Sequence, residues 1–483
     1  MKIKFSNLGS IQETELDLRP LTVIIGPNNS GKTYIAYSIY GLWQRFRQIL
    51  NHGKLKFKQD NEGIWSLPID NNLLDFFIQD AEEIAKRFQG SDLEIFFQDS
   101  SHKLFSETSF LTIISRQEVE DAINKLTIKK PFDIFSLIDK NYIQIKVSRK
   151  NNTLFFKSQY KNGGKNIALA AKTLSKEYFS KFHKTDTPEI YFIEAIKKIL
   201  FSSDTIPFPA ERNAFINTYK ILENKRYQIL KKQQRELISN TSFEEVNLNK
   251  APIIRYPQPV EDFLEFLSDI EFTKEISSNE NNEFYKLADD IENQLQNKNQ
   301  TYFKSTQLGG EEIKVLVKKG LEIDLYNASS SIKQLAPLLL YLRFRASKGD
   351  FLVIDEPEMN LHPESQAKLL EALSILVNLG VRVLLTTHSP YIMAHLNNLV
   401  NGNHENPEIL KRQSSSLYLQ DERAFLHIDK VSAYEMKDNK LVSLNDPDYG
   451  IRWDTLSDVS VDIQQKFFQI YEAGQEKADE TEE

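Results

Sequence analysis

Leu21-Thr22-Val23-Ile24-Ile25-Gly26-Pro27-Asn28-Asn29-Ser30-Gly31-Lys32-Thr33 is the stretch on which the reading of the chain turns. Its first five residues form an apolar, mostly β-branched run without alternation, the pattern of a strand buried on both faces. The next eight match G-x-x-x-x-G-K-[ST], and Tyr34–Leu50 continues as a helical pattern. Small residues at Gly26, Pro27, Asn28, Asn29, Ser30 and Gly31 let successive backbone N–H groups curl around a phosphate. Lys32 then places a point charge on the β/γ oxygens, and the Thr33 hydroxyl suits a Mg²⁺ ion. The following helix aims its N-terminus at the same phosphates. ATP with Mg²⁺ is therefore the expected ligand.

Two further apolar runs support this. Phe351-Leu352-Val353-Ile354 ends in Asp355-Glu356-Pro357. Asp355 is expected to share the Mg²⁺ shell with Thr33, and Glu356 to polarise the attacking water. Val381–Leu385 leads into Thr386-Thr387-His388-Ser389, where His388 is placed to reach a γ-phosphate. An amphipathic helix over Pro363–Leu379 joins these runs into a βαβ unit. The fold class is thus α/β, a sheet with helices on either side. Asn327–Gln334 opens one more helix, and Ser330 stands 25 residues before Asp355. Ser329, Ser330 and Ser331 suit an N-cap, and equally an anion site for a γ-phosphate held by another subunit.

The order of phosphate loop, serine-rich helix, acid strand and histidine resembles the ATP-binding-cassette ATPases over about residues 1–50 and 301–399. Within that superfamily the chain is similar to the SMC-like branch that includes the overcoming-lysogenization-defect (OLD) ATPases. The residues that carry this are Phe5-Ser6-Asn7-Leu8-Gly9-Ser10-Ile11, Asp355-Glu356-Pro357-Glu358 with Leu361-His362-Pro363, and Thr387-His388-Ser389-Pro390. The resemblance implies a homodimer through the ATPase heads, leaves larger oligomers open, and puts Leu361-His362-Pro363 at the dimer interface. Pro209-Ala210-Glu211-Arg212 also looks like a recurrent element of such ATPases, and a structural salt bridge is its expected role. A transporter subunit would carry a tight insertion and a Leu-Ser-Gly-Gly-Gln signature. Here about 300 residues separate Thr33 from Ser329, and Ser330-Ser331 replace the glycine pair.

OLD nucleases add a C-terminal Toprim domain, whose metal site needs a glutamate and an Asp-x-Asp pair. Only 95 residues follow His388, and Asp446-Pro447-Asp448 sits in turn-forming sequence. The chain therefore resembles the stand-alone ATPase subunits of bacterial anti-phage systems such as Septu, PARIS and related retrons. That resemblance implies a separate effector protein, expected to be a nuclease, and a nucleic acid or phage protein as trigger. The alternative is an SMC-type ATPase of DNA repair or chromosome handling, which would want long heptad arms.

Four segments follow: head residues 1–50, a long, mostly helical insertion over 51–300 that splits the head, head residues 301–430, and an extension over 431–483. In the insertion, Ile143–Val147 and Thr153–Phe156 read as a hairpin around Asn151-Asn152. Asn213–Ser239 and Asp289–Asn297 read as polar helices, with Pro252, Pro257 and Pro259 limiting what lies between to a short helical hairpin. Phe303–Leu308, Lys314–Val317 and Leu321–Tyr326 read as antiparallel strands, and Leu417–Leu419 and Ala424–Ile428 as strand-like. The last dozen residues hold six acids and one lysine, a composition that suits disorder.

Composition bounds the rest. With no cysteine among 483 residues, a disulfide framework, a cysteine nucleophile and a cysteine zinc site are excluded. The best apolar run, Leu335–Leu342, is short and contains Pro337, so no membrane span is expected. No leader-like segment opens the chain, and a cytoplasmic location is the expectation. Net charge is −8, yet Asn124–Arg235 holds 23 Lys+Arg against 9 Asp+Glu. That basic middle suits a phosphate backbone, an acidic protein patch or plain solvated helix faces.

Overall fold

The computed structural model describes residues 1–47, 55–60, 64–99, 101, 103–128, 132–136, 141–150, 152–162, 188–201, 204–222, 256–277, 282–305, 311–318, 320–452, 462 and 464–469. At its centre is a six-stranded mixed sheet. In spatial order its strands are Thr205–Phe208, Phe351–Asp355, Arg382–Thr387, Leu21–Ile25, Val431–Lys437 and Lys440–Ser443. The first five are parallel, and the last pairs antiparallel with its neighbour.

Leu21–Ile25 and Phe351–Asp355 are buried at every position, as runs without alternation should be. Successive side chains leave a strand on opposite faces, so each run feeds two cores. Val23, Ile25, Leu352, Ile354, Val383 and Leu385 enter one, while Ile24, Phe351, Val353 and Leu384 enter the other. The first core is closed by helices Gln258–Ser277, Glu283–Leu295, Ser330–Phe344, Pro363–Asn378 and Pro390–Asn401. The second is closed by Lys32–Phe46, Asn71–Arg87, Arg116–Ile128, Pro188–Leu200 and a three-stranded sheet of Lys2–Leu8, Ile11–Asp17 and Ser109–Ile113.

The hairpin flanking Asn152 forms as Asn141–Lys150 against Thr153–Asn162, within a five-stranded antiparallel sheet. Gln300–Ser305, Glu311–Lys318 and Leu321–Asp324 form a separate antiparallel sheet. Other expectations are corrected. Pro257 and Pro259 do not shorten the segment they sit in. Gln258–Ser277 is a 20-residue helix, with Pro259 in its first turn, where a missing N–H costs nothing. The helix expected from Asp289 begins at Glu283 and is amphipathic, burying Phe284, Leu287, Ala288 and Ile291. Leu417–Leu419 and Ala424–Ile428 are irregular and 3₁₀ structure rather than strands. They are apolar because Leu417, Ala424, Phe425 and Leu426 pack into the first core.

Val431–Lys437, not marked as a strand by the sequence reading, lies beside Leu21–Ile25 in the central sheet. Together with Thr205–Phe208 it brings strands into the head from outside residues 1–50 and 301–430. Of the helix expected over Asn213–Ser239, residues 212–222 are helical and the remainder lies outside the described residues. Pro252, parts of the basic stretch (among them residues 163–187 and 223–235) and the last dozen residues also lie outside them.

Candidate functional site

Parallel strands deliver their carboxyl ends to one edge of a sheet, where ligands of open α/β folds bind. Here Asp355 pairs in register with Thr386, and Thr387 with Ile25. The loops beginning at Gly26, Glu356 and His388 therefore emerge side by side.

The first loop is tightly wound. Gly31 has φ +92, a conformation that favours glycine, and a Cβ there would also crowd Ile11 Cδ1 at 2.9 Å. Helix Lys32–Phe46 follows with no side-chain cap and no acid in its first turn, which leaves its leading N–H groups open to an anion. Lys32 is 5% exposed, and its Nζ donates to the Pro27 carbonyl at 2.8 Å. Burial draws its pKa down, while Glu356, Asp355 and Glu358 push it back up. Ser30 Oγ is buried without a hydrogen-bond partner. An orphaned hydroxyl, an uncapped helix and a buried ammonium holding one carbonyl together fit a phosphate chain.

Asp355 is 4% exposed and accepts from Thr33 Oγ1 at 3.2 and 3.1 Å, one to each carboxylate oxygen. Thr386 Oγ1 donates to it as well. Burial raises the Asp355 pKa above the ordinary carboxylate value, and the Thr386 and Thr33 hydrogen bonds oppose that rise. A hydroxyl and a carboxylate already in contact are the hard oxygen pair that Mg²⁺ takes alongside substrate phosphates. Among the described residues no group of three or more His, Cys, Asp or Glu forms a metal cage.

Glu356 has φ +47, a left-handed conformation uncommon for a residue with a side chain. Its N–H donates to Thr386 O at 3.1 Å. Its Oε1 lies 3.0 Å from His388 Nε2, with the two side chains 30% and 28% exposed. The pair is thus in contact and open to solvent. The sequence named both residues, and the structure joins them directly.

Two residues hold the site together through contacts that the sequence does not signal. Glu358 stands in the sequence only within the Asp355–Pro363 stretch. Its Oε1 accepts from Thr387 Oγ1 and from the His388 N–H, both at 2.7 Å, so it holds the histidine loop against the acid loop. Arg212 was expected in a salt bridge. Its hydrogen bonds instead end on carbonyl oxygens: Pro209 at 3.0 Å, Asp355 at 2.9 Å, and Gln334, Glu356 and Pro357 at 3.2 Å. Burial lowers its pKa to about 10. Neither role leaves a local sequence signal, because each partner lies on a distant strand or is a backbone carbonyl.

The serine cluster stands apart. Ser329 caps helix Ser330–Phe344 by accepting from the Ile332 N–H at 3.4 Å, and its hydroxyl lies 3.0 Å from that of Ser331. Ser329 and Ser330 are exposed. Among the described hydrogen bonds, none links these hydroxyls to the phosphate loop of the same chain. Leu361 is buried, and His362 caps helix Pro363–Asn378. Asp446 forms the expected turn, its Oδ1 accepting from the N–H groups of Asp448 and Tyr449 at 2.9 and 3.1 Å.

None of the curated proteins matches this sequence. Solved structures that align with it include an Smc head bound to the C-winged helix domain of ScpA, at 11% identity, covering 92% of this chain and 96% of that one with a TM-score of 0.35. An Smc head with an extended coiled coil, bound to the C-terminal domain of ScpA derived from Pyrococcus furiosus, aligns at 12% identity, 96% and 98% coverage and a TM-score of 0.35. The SMC head domain from Thermotoga maritima aligns at 11% identity, 92% and 97% coverage and a TM-score of 0.28. A protein-family profile matches residues 1–393, most of the chain and all of the loops described above, and the chain accordingly belongs to the AAA ATPase domain family.

Proposed function

We propose that the chain binds and hydrolyses ATP as an ABC-type, SMC-like head. One observation carries this reading: Thr33 meets Asp355, and Glu356 meets His388, at the mouth of the Gly26–Thr33 loop. Lys32 and the leading N–H groups of its helix would hold the β- and γ-phosphates, with Ser30 Oγ free to join them. Thr33 and Asp355 would hold Mg²⁺, which when bound neutralises charge on those phosphates. Glu356 would accept a hydrogen bond from the attacking water and so polarise it, and His388 would hold the Glu356 carboxylate and reach the γ-phosphate. The exposed Ser329–Ser331 helix terminus would serve the nucleotide of a second copy, so the working unit is a head-to-head dimer. Phosphate release by the purified chain tests the reading. Loss of turnover in Glu356→Gln with ATP binding kept is the supporting result; no phosphate release by the wild-type chain refutes the reading, and unchanged turnover in Glu356→Gln takes the hydrolytic role away from Glu356.

The biological setting we propose is a subunit of a cytoplasmic anti-phage defence complex. ATP-dependent head pairing would sense infection and restrain or release a separate nuclease effector. Support comes from the resemblance over Asp355–Pro363 and Thr387–Pro390, and from the Asp446 carboxylate accepting the Asp448 and Tyr449 N–H groups in a turn. The alternative of a chromosome-handling ATPase wants long arms, whereas the longest helix among the described residues has 20 residues. Co-purification of a neighbouring gene product, and loss of phage resistance in Lys32→Ala cells, would support the defence setting. Unchanged resistance would count against it.

A further inference from the structure

The Glu356 turn is unusual in being fastened from behind by one side chain. An arginine has five N–H donors in a rigid planar fork. In Arg212 every one has a carbonyl to meet: Nε on Gln334, Nη1 on Pro209 and Asp355, Nη2 on Glu356 and Pro357. The Gln334 amide oxygen, in the orientation that satisfies both its ends, accepts from Nη2 and Nη1 at 2.7 and 3.1 Å. Arg212 is 3% exposed and Gln334 1% exposed, so these bonds are shielded from water. Three consecutive carbonyls, those of Asp355, Glu356 and Pro357, are thereby gathered on one guanidinium. Gathering them constrains the peptide planes on both sides of Glu356, the residue with φ +47. Gln334 belongs to helix Ser330–Phe344, one turn beyond the exposed serines.

We propose that Arg212 is a positioning residue for hydrolysis, which holds the left-handed turn that aims Glu356 and ties that turn to the helix carrying Ser329–Ser331. It touches none of Gly26–Thr33 among the described hydrogen bonds, so it acts on the carboxylate rather than on nucleotide capture. A movement of the serine helix is passed through Gln334 and Arg212 to Glu356 of the same chain. This rests on the assignment of Glu356 to hydrolysis made above.

The test compares the full-length chain with Arg212→Lys, Glu356→Gln, their double variant and Gln334→Met, measuring equilibrium binding of ATP, phosphate release and thermal melting. Lysine keeps the charge but not the fork. Arg212→Lys should bind ATP within about 3-fold of wild type and lose ~10–100-fold in kcat with little change in KM, the effect of a misplaced group rather than a missing one. In the Glu356→Gln background the same change should slow turnover no further, because the group it positions is already gone. A purely structural role would instead lower both backgrounds alike. If Arg212→Lys shows no cooperative melt, Gln334→Met takes its place, with an expected kcat loss of about 3–10-fold for the two hydrogen bonds to one neutral amide oxygen. A wild-type kcat in the folded variant, ATP affinity lost together with kcat, or a multiplicative loss in the double variant overturns the inference alone. Wild-type turnover by Glu356→Gln overturns the hydrolytic assignment and this inference with it.

Discussion

Lys32 holds a single carbonyl in a buried loop, and nothing on its own strand or helix neutralises it there. Losing that charge should cost ATP affinity about 100-fold or more, since a charge-assisted contact to phosphate is removed while the buried anion remains. Equilibrium binding of labelled ATP to Lys32→Ala checks this, and an unchanged affinity would remove the loop from the site. Glu356→Gln keeps the size and hydrogen bonding of the side chain but not its negative charge. Its turnover should fall at least ~100-fold, within the range of a general base, while ATP still binds. Single-turnover phosphate release separates the two effects.

At the scale of elements, two buried carboxylates make opposite cases. Asp350 immediately precedes the acid strand, with Oδ2 accepting from Tyr341 Oη and the Ser347 N–H, both at 2.9 Å, while Oδ1 has no partner among the described residues. Burial, aided by Asp204, raises its pKa from 3.8 to about 7. An acid with a raised folded pKa binds its proton more tightly when folded. Its contribution is complete below about pH 4 and is lost as pH climbs to about 7. Asp350→Asn can keep the two accepted bonds without the charge. Its gain over wild type should grow from pH 4 to pH 7, reach about 4 kcal/mol, and then level off. Urea unfolding at several pH values measures it, and a gain independent of pH would refute the cause given.

Asp80 is instead paired. Lys197 joins it at 3% and 1% side-chain exposure, linking helices Asn71–Arg87 and Pro188–Leu200. Lys197→Met should destabilise by about 3–5 kcal/mol because it takes the ammonium away from a buried carboxylate, whereas Asp80→Leu with Lys197→Met should recover most of that loss. Equal stabilities for the single and double variants would show that the pair is not what matters.

At the scale of the whole molecule, exposure of Ser329 and Ser330 on a capped helix end argues for trans pairing of two heads. Lys32→Ala and Ser330→Glu damage opposite halves of a shared site. Mixed together, they should restore about one competent site per heterodimer, read as ATPase activity above that of either variant alone. Light scattering at saturating ATP should report a dimer. A monomer at all ATP concentrations, with no rescue on mixing, would mean that each head works by itself.

Much of this molecule was written in short, local signals. Continuous apolar runs at Leu21–Ile25 and Phe351–Asp355 require burial on both faces, and so called for helices on either side of a sheet. The loop at Gly26–Thr33 must sit between strand and helix to work, and Asp355, Glu356 and His388 follow strands in the same way. Local sequence had no means of announcing what depends on pairing across long separations. Val431–Lys437 becomes a central strand only because its register against Leu21–Ile25 places Ala433 and Tyr434 on opposite cores. Glu358 matters through a histidine loop 30 residues away, and Arg212 through carbonyls more than 120 residues away. Backbone carbonyls are the same in every residue, so a side chain that recognises them leaves no trace in the partner's identity. The chemistry at the sheet edge was therefore legible residue by residue, while the scaffold that holds Glu356 in its left-handed turn exists only once the strands are side by side.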